Sequence, residues 1–270
     1  MGLPILLQAA LLGVIQGLTE FLPVSSTAHL LLGERLLGFD DPASVFTEMI
    51  QLGSILAIVV IYRDRLWQVV QGLGHDPSAR RFVGLLAIAF VPAALAGLFL
   101  ADFVETVLHQ SPAVIAAAFI GGGVVMWLVD RWRPVAATAA VEQASYRQAL
   151  GIGLFQVLAL VPGVSRSGAT IIGGLAMGLD RATAAEFSFF LAIPTLGAAF
   201  AHSALELRHQ ITPDRLSSVA VGFVTAFIAS VVIVKPFLGF VRRRGFTVFA
   251  WYRIAAGAAI FAALALGWRL

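Results

Sequence analysis

The sequence predicts an all-α polytopic membrane protein built as an inverted repeat, with six transmembrane helices and two re-entrant helical hairpins that meet at mid-membrane. Three observations predict it. Of the 270 residues, 59% are hydrophobic and 12% charged, and the mean hydropathy is +0.91. That is more apolar surface than a water-soluble domain of this length can bury. Six apolar runs reach spanning length, and two further apolar regions are interrupted in the middle by Pro, Gly and hydroxyl residues. Finally, the two interrupted regions match each other at an offset of 140, at Gly13/Gly153, Gln16/Gln156, Leu18/Leu158, Val24/Val164 and Ser25/Ser165.

In chain order, residues 3 to 38 form the first interrupted region. Pro23 breaks any helix there and frees backbone groups that lipid cannot satisfy, so the region reads as a hairpin facing protein or water rather than one long helix. Spans near 43 to 62, 82 to 101 and 112 to 130 follow. The stretch from Pro134 to Gln148, rich in Ala and polar residues, is the linker between repeats. Residues 150 to 178 form the second hairpin, broken at Pro162-Gly163, and spans near 183 to 204, 216 to 236 and 250 to 268 complete the chain. Each half holds a hairpin with no net crossing and three full crossings, an odd number, so the second half is inverted relative to the first. Repeat one covers about residues 1 to 133 and repeat two about 149 to 270, in a single integral membrane domain. The match extends beyond the hairpins, since Phe46-Thr47 through Gly53-Ser54 aligns with Phe187-Ser188 through Pro194-Thr195 at an offset of 141.

Composition excludes several classes of function. Cys is absent, which removes disulfides, thiolate metal sites and thiol catalysis. A net charge of +3 and a pI near 9.9 do not point to nucleic acid, because the basic residues sit in short loops between apolar segments. One side gathers Arg63, Arg65, Arg80, Arg81, Arg131, Arg133, Arg147, Arg181, Lys235 and Arg242 to Arg244, with Arg253 just inside it; the other carries Arg35, Arg208, Arg215 and Arg269. The first side is therefore expected to be cytoplasmic, with both termini outside. No Lys or Arg precedes Arg35, so the apolar start is expected to be mature structure rather than a leader.

Ionisable groups inside membrane segments are costly and are functional candidates by default. Here they are Glu20, His29, Glu48 and Arg166. Ser25-Ser26-Thr27 and Ser165-Arg166-Ser167-Gly168, with Thr170 beyond, each follow a helix break. Their hydroxyls and N–H groups therefore crowd at the start of a half-helix, where orphan donors and the macrodipole favour an anion. The guanidinium of Arg166 is a planar fork suited to bidentate phosphate contact, and no Walker-type motif offers a nucleotide explanation. Gln16 and Glu20, at i and i+4, share a helix face that points toward the break. A carboxylate beside a phosphate site is expected to hold a divalent cation, to handle a proton, or both. His29 follows three residues after Ser26, and Glu48 with Gln51 is placed on the polar wall. The plainer alternatives are a structural Glu20–Arg166 pair, ordinary N-capping by the hydroxyls, and a buried His or Glu that merely satisfies a hydrogen bond.

Gln16-Gly-Leu-Thr-Glu20, Phe-Leu-Pro-Val-Ser25-Ser-Thr-Ala-His29 and Pro162-Gly-Val-Ser165-Arg-Ser-Gly-Ala-Thr170 closely resemble the paired signature motifs of the bacitracin-resistance type of undecaprenyl-diphosphate phosphatase. The similarity runs over essentially the whole chain. It implies an enzyme of the bacterial plasma membrane that removes one phosphate from the C55 isoprenyl diphosphate carrier of cell-wall synthesis, depends on a divalent cation, Mg²⁺ or Ca²⁺, and opens on the outer face. One position departs from the pattern: Gln16 stands where many members carry Glu, which shifts the weight to Glu20.

The resulting expectation assigns Glu20, Ser26, His29 and Arg166 to catalysis and Gln16, Ser25, Thr27, Glu48, Ser165, Ser167, Gly168 and Thr170 to substrate binding, with Glu20 as the cation ligand. The nucleophile is Ser26, His29 or an activated water, with Ser26 preferred and His29 then carrying a proton. The isoprenyl tail is expected in a lateral groove between spans, and a second copy of the chain is kept as a candidate partner. A lipid flippase or anion transporter is the rival class, because secondary transporters are also built from inverted repeats with broken helices.

Overall fold

The computed structural model describes residues 3–41, 44–103, 111–207 and 213–267. Helix dominates, as the absence of water in a bilayer demands of any spanning chain. Eleven α-helices follow in order among the described residues: α1 (Ile5–Thr19), α2 (Ser26–Leu37), α3 (Val45–Ile61), α4 (Arg63–Gly72), α5 (Pro77–Phe103), α6 (Pro112–Trp132), α7 (Tyr146–Val157), α8 (Arg166–Ala176), α9 (Arg181–Leu207), α10 (Pro213–Arg244) and α11 (Thr247–Ala265). Five of these, α5, α6, α9, α10 and α11, are long and apolar enough to cross a bilayer, and a sixth span appears if α3 and α4 are taken together across their 75° bend. The chain is therefore a multi-pass membrane protein. Large side chains such as Leu98, Phe99 and Val232 are exposed on these helices, as lipid-facing positions should be.

Helix α4 is an element that the apolar pattern did not announce. Arg63, Asp64 and Arg65 end the apolar run of α3, and the chain turns so that Leu66 and Val69 pack on the core while Trp67 and Val70 stay exposed. The linker is also more ordered than its composition suggests. Val141 and Ala144 are fully buried, and Arg81 donates to Glu142 O at 3.1 Å and Ala144 O at 2.7 Å. A capping box between Ser145 and Gln148 starts α7. Arg65 reaches both Glu142 and Glu186, so two arginines expected only to mark topology also pin the linker.

Contacts at the two ends show which helix ends lie together. At one end, Gln8 donates to Leu37 O (3.0 Å), Thr47 to Glu34 (2.8 Å), and Arg215 approaches Asp40 (3.9 Å). This joins the start of α1, the end of α2, the start of α3 and the start of α10. At the other end, Arg65, Arg81, Asp130, Arg133 and Arg181 connect α4, α5, α6, the linker and α9. Both α1–α2 and α7–α8 start and finish at one end, the latter pair closed by Gln148 donating to Met177 O at 2.9 Å. Arg208 and Arg269, counted in the loop-charge asymmetry, lie outside the described residues.

Helices in lipid gain little from apolar burial alone, because the tails are as apolar as their side chains, so close backbone approach carries the association. Gly13 on α1 illustrates this: a Cβ there would fall 2.3 Å from Gly222 O of α10. Gly153 on α7, which matches Gly13 at an offset of 140, backs onto α5, where a Cβ would fall 2.5 Å from Ala89 O. Phe187, Phe189 and Phe190 of α9 fill the interior between them, with Phe21 of the first break edge-on to Phe189 at 5.2 Å.

Candidate active site

Both interruptions take the same backbone path. Helix α1 stops at Thr19 with Glu20 as its C-cap, and the chain turns through Pro23 to Ser25, whose φ is 69°. Helix α7 runs into a 3₁₀ turn at Leu158–Leu160, then Gly163 at φ 90° and Ser165 at φ 69°. A positive φ at a residue with a Cβ costs about 1–3 kcal/mol and persists only where its surroundings impose it. Here it reverses the chain so that the first turns of α2 and α8, with N–H groups that have no intrahelical acceptor, converge. Ser165 Oγ accepts from Gly168 N at 3.1 Å, while among the described residues Ser25 makes no such cap at α2.

Between these two starts lies the Glu20–Arg166 pair. Arg166 Nη2 donates to Glu20 Oε1 at 2.8 Å, and both side chains are nearly buried, 12% and 5% exposed. Glu20 Oε2 accepts from Gln16 Nε2 at 2.9 Å and from Ser26 Oγ at 2.6 Å. Arg166 Nη1 donates to Ser188 O at 2.9 Å, fixing the plane of the fork, and its Nε is buried with no hydrogen-bond partner among the described residues. Gln16 Oε1 is likewise buried and unsatisfied. Leaving such groups unmatched costs about 1–3 kcal/mol each, so the site is poised to accept polar atoms from a ligand.

The remaining predicted residues divide into those at this pair and those behind it. Ser167 Oγ donates to Leu22 O at 2.9 Å and lies 3.1 Å from Ser165 Oγ, tying one break to the other. Thr170 is fully buried and bonds Ser188 Oγ at 2.7 Å, so its hydroxyl faces α9 rather than Glu20. Thr27 and Glu48, with Gln51, line a cavity of ≈ 330 Å³ between α2, α3 and α9, whose walls include Leu30, Leu52 and Phe200. His29 is not brought to the Glu20–Arg166 pair. Its Nδ1 is 2.7 Å from Ser25 O, which makes it the protonated nitrogen, and its Nε2 accepts from the Tyr252 hydroxyl, the two rings stacked at 5.7 Å.

Three contributors escaped the sequence reading. Tyr252 orients His29, and Ser188 holds both Arg166 and Thr170. The third is Arg253, counted with the arginine-rich face but fully buried on α11, where it donates to Pro23 O (3.3 Å), Gly163 O (2.9 Å) and Ala118 O (3.0 Å) and lies over Phe119 at 5.2 Å. It clamps the two breaks together through their freed carbonyls. The available signal was an Arg six residues inside an apolar helix, which belongs with the costly intramembrane ions.

A divalent cation held by protein alone needs several oxygen ligands. Among the described residues no three His, Cys, Asp or Glu side chains cluster, and both oxygens of Glu20 already accept hydrogen bonds. A resident cation with all-protein ligands does not fit this arrangement; one carboxylate can serve a cation whose other ligands come with the substrate.

Residues 9–259 match the family model described as bacitracin resistance protein BacA. The chain is 46% identical over 250 residues to the undecaprenyl-diphosphatase of Chelativorans sp. (strain BNC1), covering 93% of each chain. It is 45% identical over 260 residues to that of Paracoccus denitrificans (strain Pd 1222), covering 96% of this chain and 97% of the relative. With the enzyme of the same name from Phenylobacterium zucineum (strain HLK1) it shares 48% over 250 residues, 93% and 94% of the two chains. With two strained helix starts, the carboxylate and guanidinium between them, and this similarity along nearly its full length, the chain belongs to the bacitracin resistance protein BacA family.

Proposed function

We propose that the chain hydrolyses undecaprenyl diphosphate to undecaprenyl phosphate and inorganic phosphate at the Glu20–Arg166 pair, recycling a lipid carrier of cell-wall synthesis and thereby conferring bacitracin resistance. The observation that carries this reading is Ser26 Oγ held 2.6 Å from Glu20 Oε2 while Arg166 binds the other oxygen. The terminal phosphate enters between the starts of α2 and α8 and draws Arg166 partly from Glu20, taking up its unpartnered Nε. Glu20 Oε2, already hydrogen-bonded to Ser26 Oγ, accepts the Ser26 proton. Ser26 Oγ then bonds to the terminal phosphorus as the bridging P–O bond breaks, and isoprenyl phosphate departs. Glu20 passes the Ser26 proton to the departing isoprenyl phosphate; water then attacks the phosphoserine, giving one proton to Glu20, which hands it to Ser26 Oγ as that P–O bond breaks and inorganic phosphate leaves. Arg166 and the N–H groups of the two helix starts stabilise the charge that spreads over the phosphoryl oxygens. With Nδ1–H committed to Ser25 O, His29 carries protons only at Nε2, by way of the Tyr252 hydroxyl.

Glu20 is the residue that would hold a divalent cation, Mg²⁺ or Ca²⁺, brought in with the diphosphate, and the ion would supply charge neutralisation for the phosphoryl group. The isoprenyl tail leaves along the cavity between α2, α3 and α9, where Leu30, Leu52 and Phe200 follow Thr27 and Glu48.

The same reading makes the chain an inverted repeat with six crossings. Equal φ values at Ser25 and Ser165, and Gly13 and Gly153 each packed on the other half's second long span, support it. The arginine-rich end is then cytoplasmic in a bacterial inner membrane and the site opens on the outer face. Phosphate release by the purified protein in detergent, with no gradient present, tests the enzyme reading. Release abolished in Ser26→Ala and Glu20→Gln is the expected result. Failure of the native protein to release phosphate would overturn it in favour of a transporter.

A further inference from the structure

We propose that the arginine-rich end of the bundle carries a binding site for the phosphate headgroup of an anionic membrane phospholipid, built by α6, α9 and α11 and separate from the Glu20–Arg166 pair. A cavity of ≈ 640 Å³ lies there, lined by Trp127, Arg131, Arg133, Arg181 and Thr247. Asp130 is the acidic residue that lines this cavity: 2% exposed at its side chain, it lies 2.8 Å from Arg181 Nε and 3.5 Å from Arg133 Nη1, while Asp180 and Glu186 line an adjoining cavity behind Arg133 and Arg181, with Arg242 beside them. The Asp130 carboxylate is already saturated, for Oδ2 also accepts from Phe246 N at 3.1 Å and Thr247 Oγ1 at 3.3 Å. The cavity thus keeps a surplus of positive charge on guanidinium forks, the geometry that suits phosphate oxygens.

Aromatic residues specify the lipid source. Trp132 and Trp251 lie 6.3 and 6.4 Å from Trp127, ring to ring, and are 69% and 57% exposed. Exposed indoles grouped at the end of spanning helices mark headgroup depth, so the cavity mouth sits where a phosphodiester lies and its acyl chains can run down the outer face of α6 and α11. Basic pockets between spanning helices at this level take anionic headgroups as a class. The same Asp130 caps the start of α11, the helix that carries Tyr252 and Arg253, so an occupied site also steadies the helix that holds the two breaks.

The test uses the purified full chain in a neutral detergent, titrated with phosphatidylglycerol, phosphatidylcholine or inorganic phosphate and followed by thermal unfolding and native mass spectrometry. Phosphatidylglycerol is expected to raise Tm and remain bound, with at least a tenfold preference over phosphatidylcholine and no comparable effect of inorganic phosphate. In Arg131→Gln/Arg133→Gln the preference should fall at least tenfold, while phosphate release without added lipid stays within twofold of native. Arg131→Gln alone leaves the Arg133–Asp130 contact in place and should show a smaller loss in the same direction. Equal binding of the two lipids, an unchanged preference in these variants, or stabilisation by inorganic phosphate that equals that by phosphatidylglycerol and is lost in Arg131→Gln/Arg133→Gln would overturn the proposal.

Discussion

Replacing Arg166 by Lys keeps the charge and removes the fork, which makes it the sharpest probe of the site. Arg166 spends Nη2 on Glu20 and Nη1 on Ser188 O, at 2.8 and 2.9 Å, and its buried Nε has no hydrogen-bond partner among the described residues. A single ammonium at that position can reach Glu20 or the phosphate but cannot hold Ser188 O, Glu20 and two phosphate oxygens in one plane. Hydrogen bonds to charged groups contribute about 1.5–3 kcal/mol each. Losing two at the reacting phosphoryl group therefore costs about 3–6 kcal/mol, or roughly 10²- to 10⁴-fold in turnover. Folding should suffer less, by about 1–2 kcal/mol, because Lys still compensates the buried Glu20 and only the neutral Ser188 carbonyl loses its donor. The assay is phosphate release from an isoprenyl diphosphate in detergent, with thermal unfolding measured on the same sample. A well-folded Arg166→Lys protein with activity within threefold of native would refute the clamp, since charge alone would then suffice.

Other consequences follow from the same geometry. Glu20→Gln should abolish turnover while diphosphate binding stays measurable, and Gln16→Glu should tighten the apparent Mg²⁺ or Ca²⁺ requirement by adding a carboxylate on the same helix face; an unchanged cation titration would return Glu20 to base catalysis alone. Arg253→Met removes three hydrogen bonds to carbonyls of both breaks and of α6, so about 3 kcal/mol or more of stability should be lost, read as a large drop in Tm together with loss of activity. Gly13→Val should fail to give folded protein in detergent, because its side chain has to occupy space 2.3 Å from the Gly222 carbonyl; normal yield and Tm would contradict the α1–α10 packing. With no native Cys as background, Asp40→Cys should react with an impermeant thiol reagent in intact cells and His75→Cys should not, and the reverse pattern would turn the topology over.

Much of the architecture was legible from local pattern, because a bilayer reduces the choice of structure to apolar length and the position of breaks. Pro23 and Pro162-Gly163 announced two interruptions, and α1–α2 and α7–α8 are where those residues put them. Helix α4 was missed because it lies at the polar end of α3, where Trp67 and Val70 supply too short an apolar run to signal a separate element. Residue types at the breaks pointed either to an anion site or to ordinary N-capping, and Ser165 Oγ does cap Gly168 N.

What the chain order alone determined was therefore the inventory: Glu20, Ser26 and His29 on one interruption, Arg166 on another, and a repeat that relates Gly13 to Gly153 and Ser25 to Ser165. The sequence offered a Glu20–Arg166 pair as one alternative; the contacts that each of these residues makes were decided only in three dimensions. Glu20 and Arg166 are separated by 146 positions and come within hydrogen-bonding distance because two hairpins from opposite ends converge, while His29, much nearer in sequence, turns instead to Tyr252 on the last helix. The tertiary structure also gave Arg253 its task. No local pattern encodes a guanidinium that satisfies carbonyls released by two distant breaks, because the need for it exists only once those breaks are packed side by side away from water.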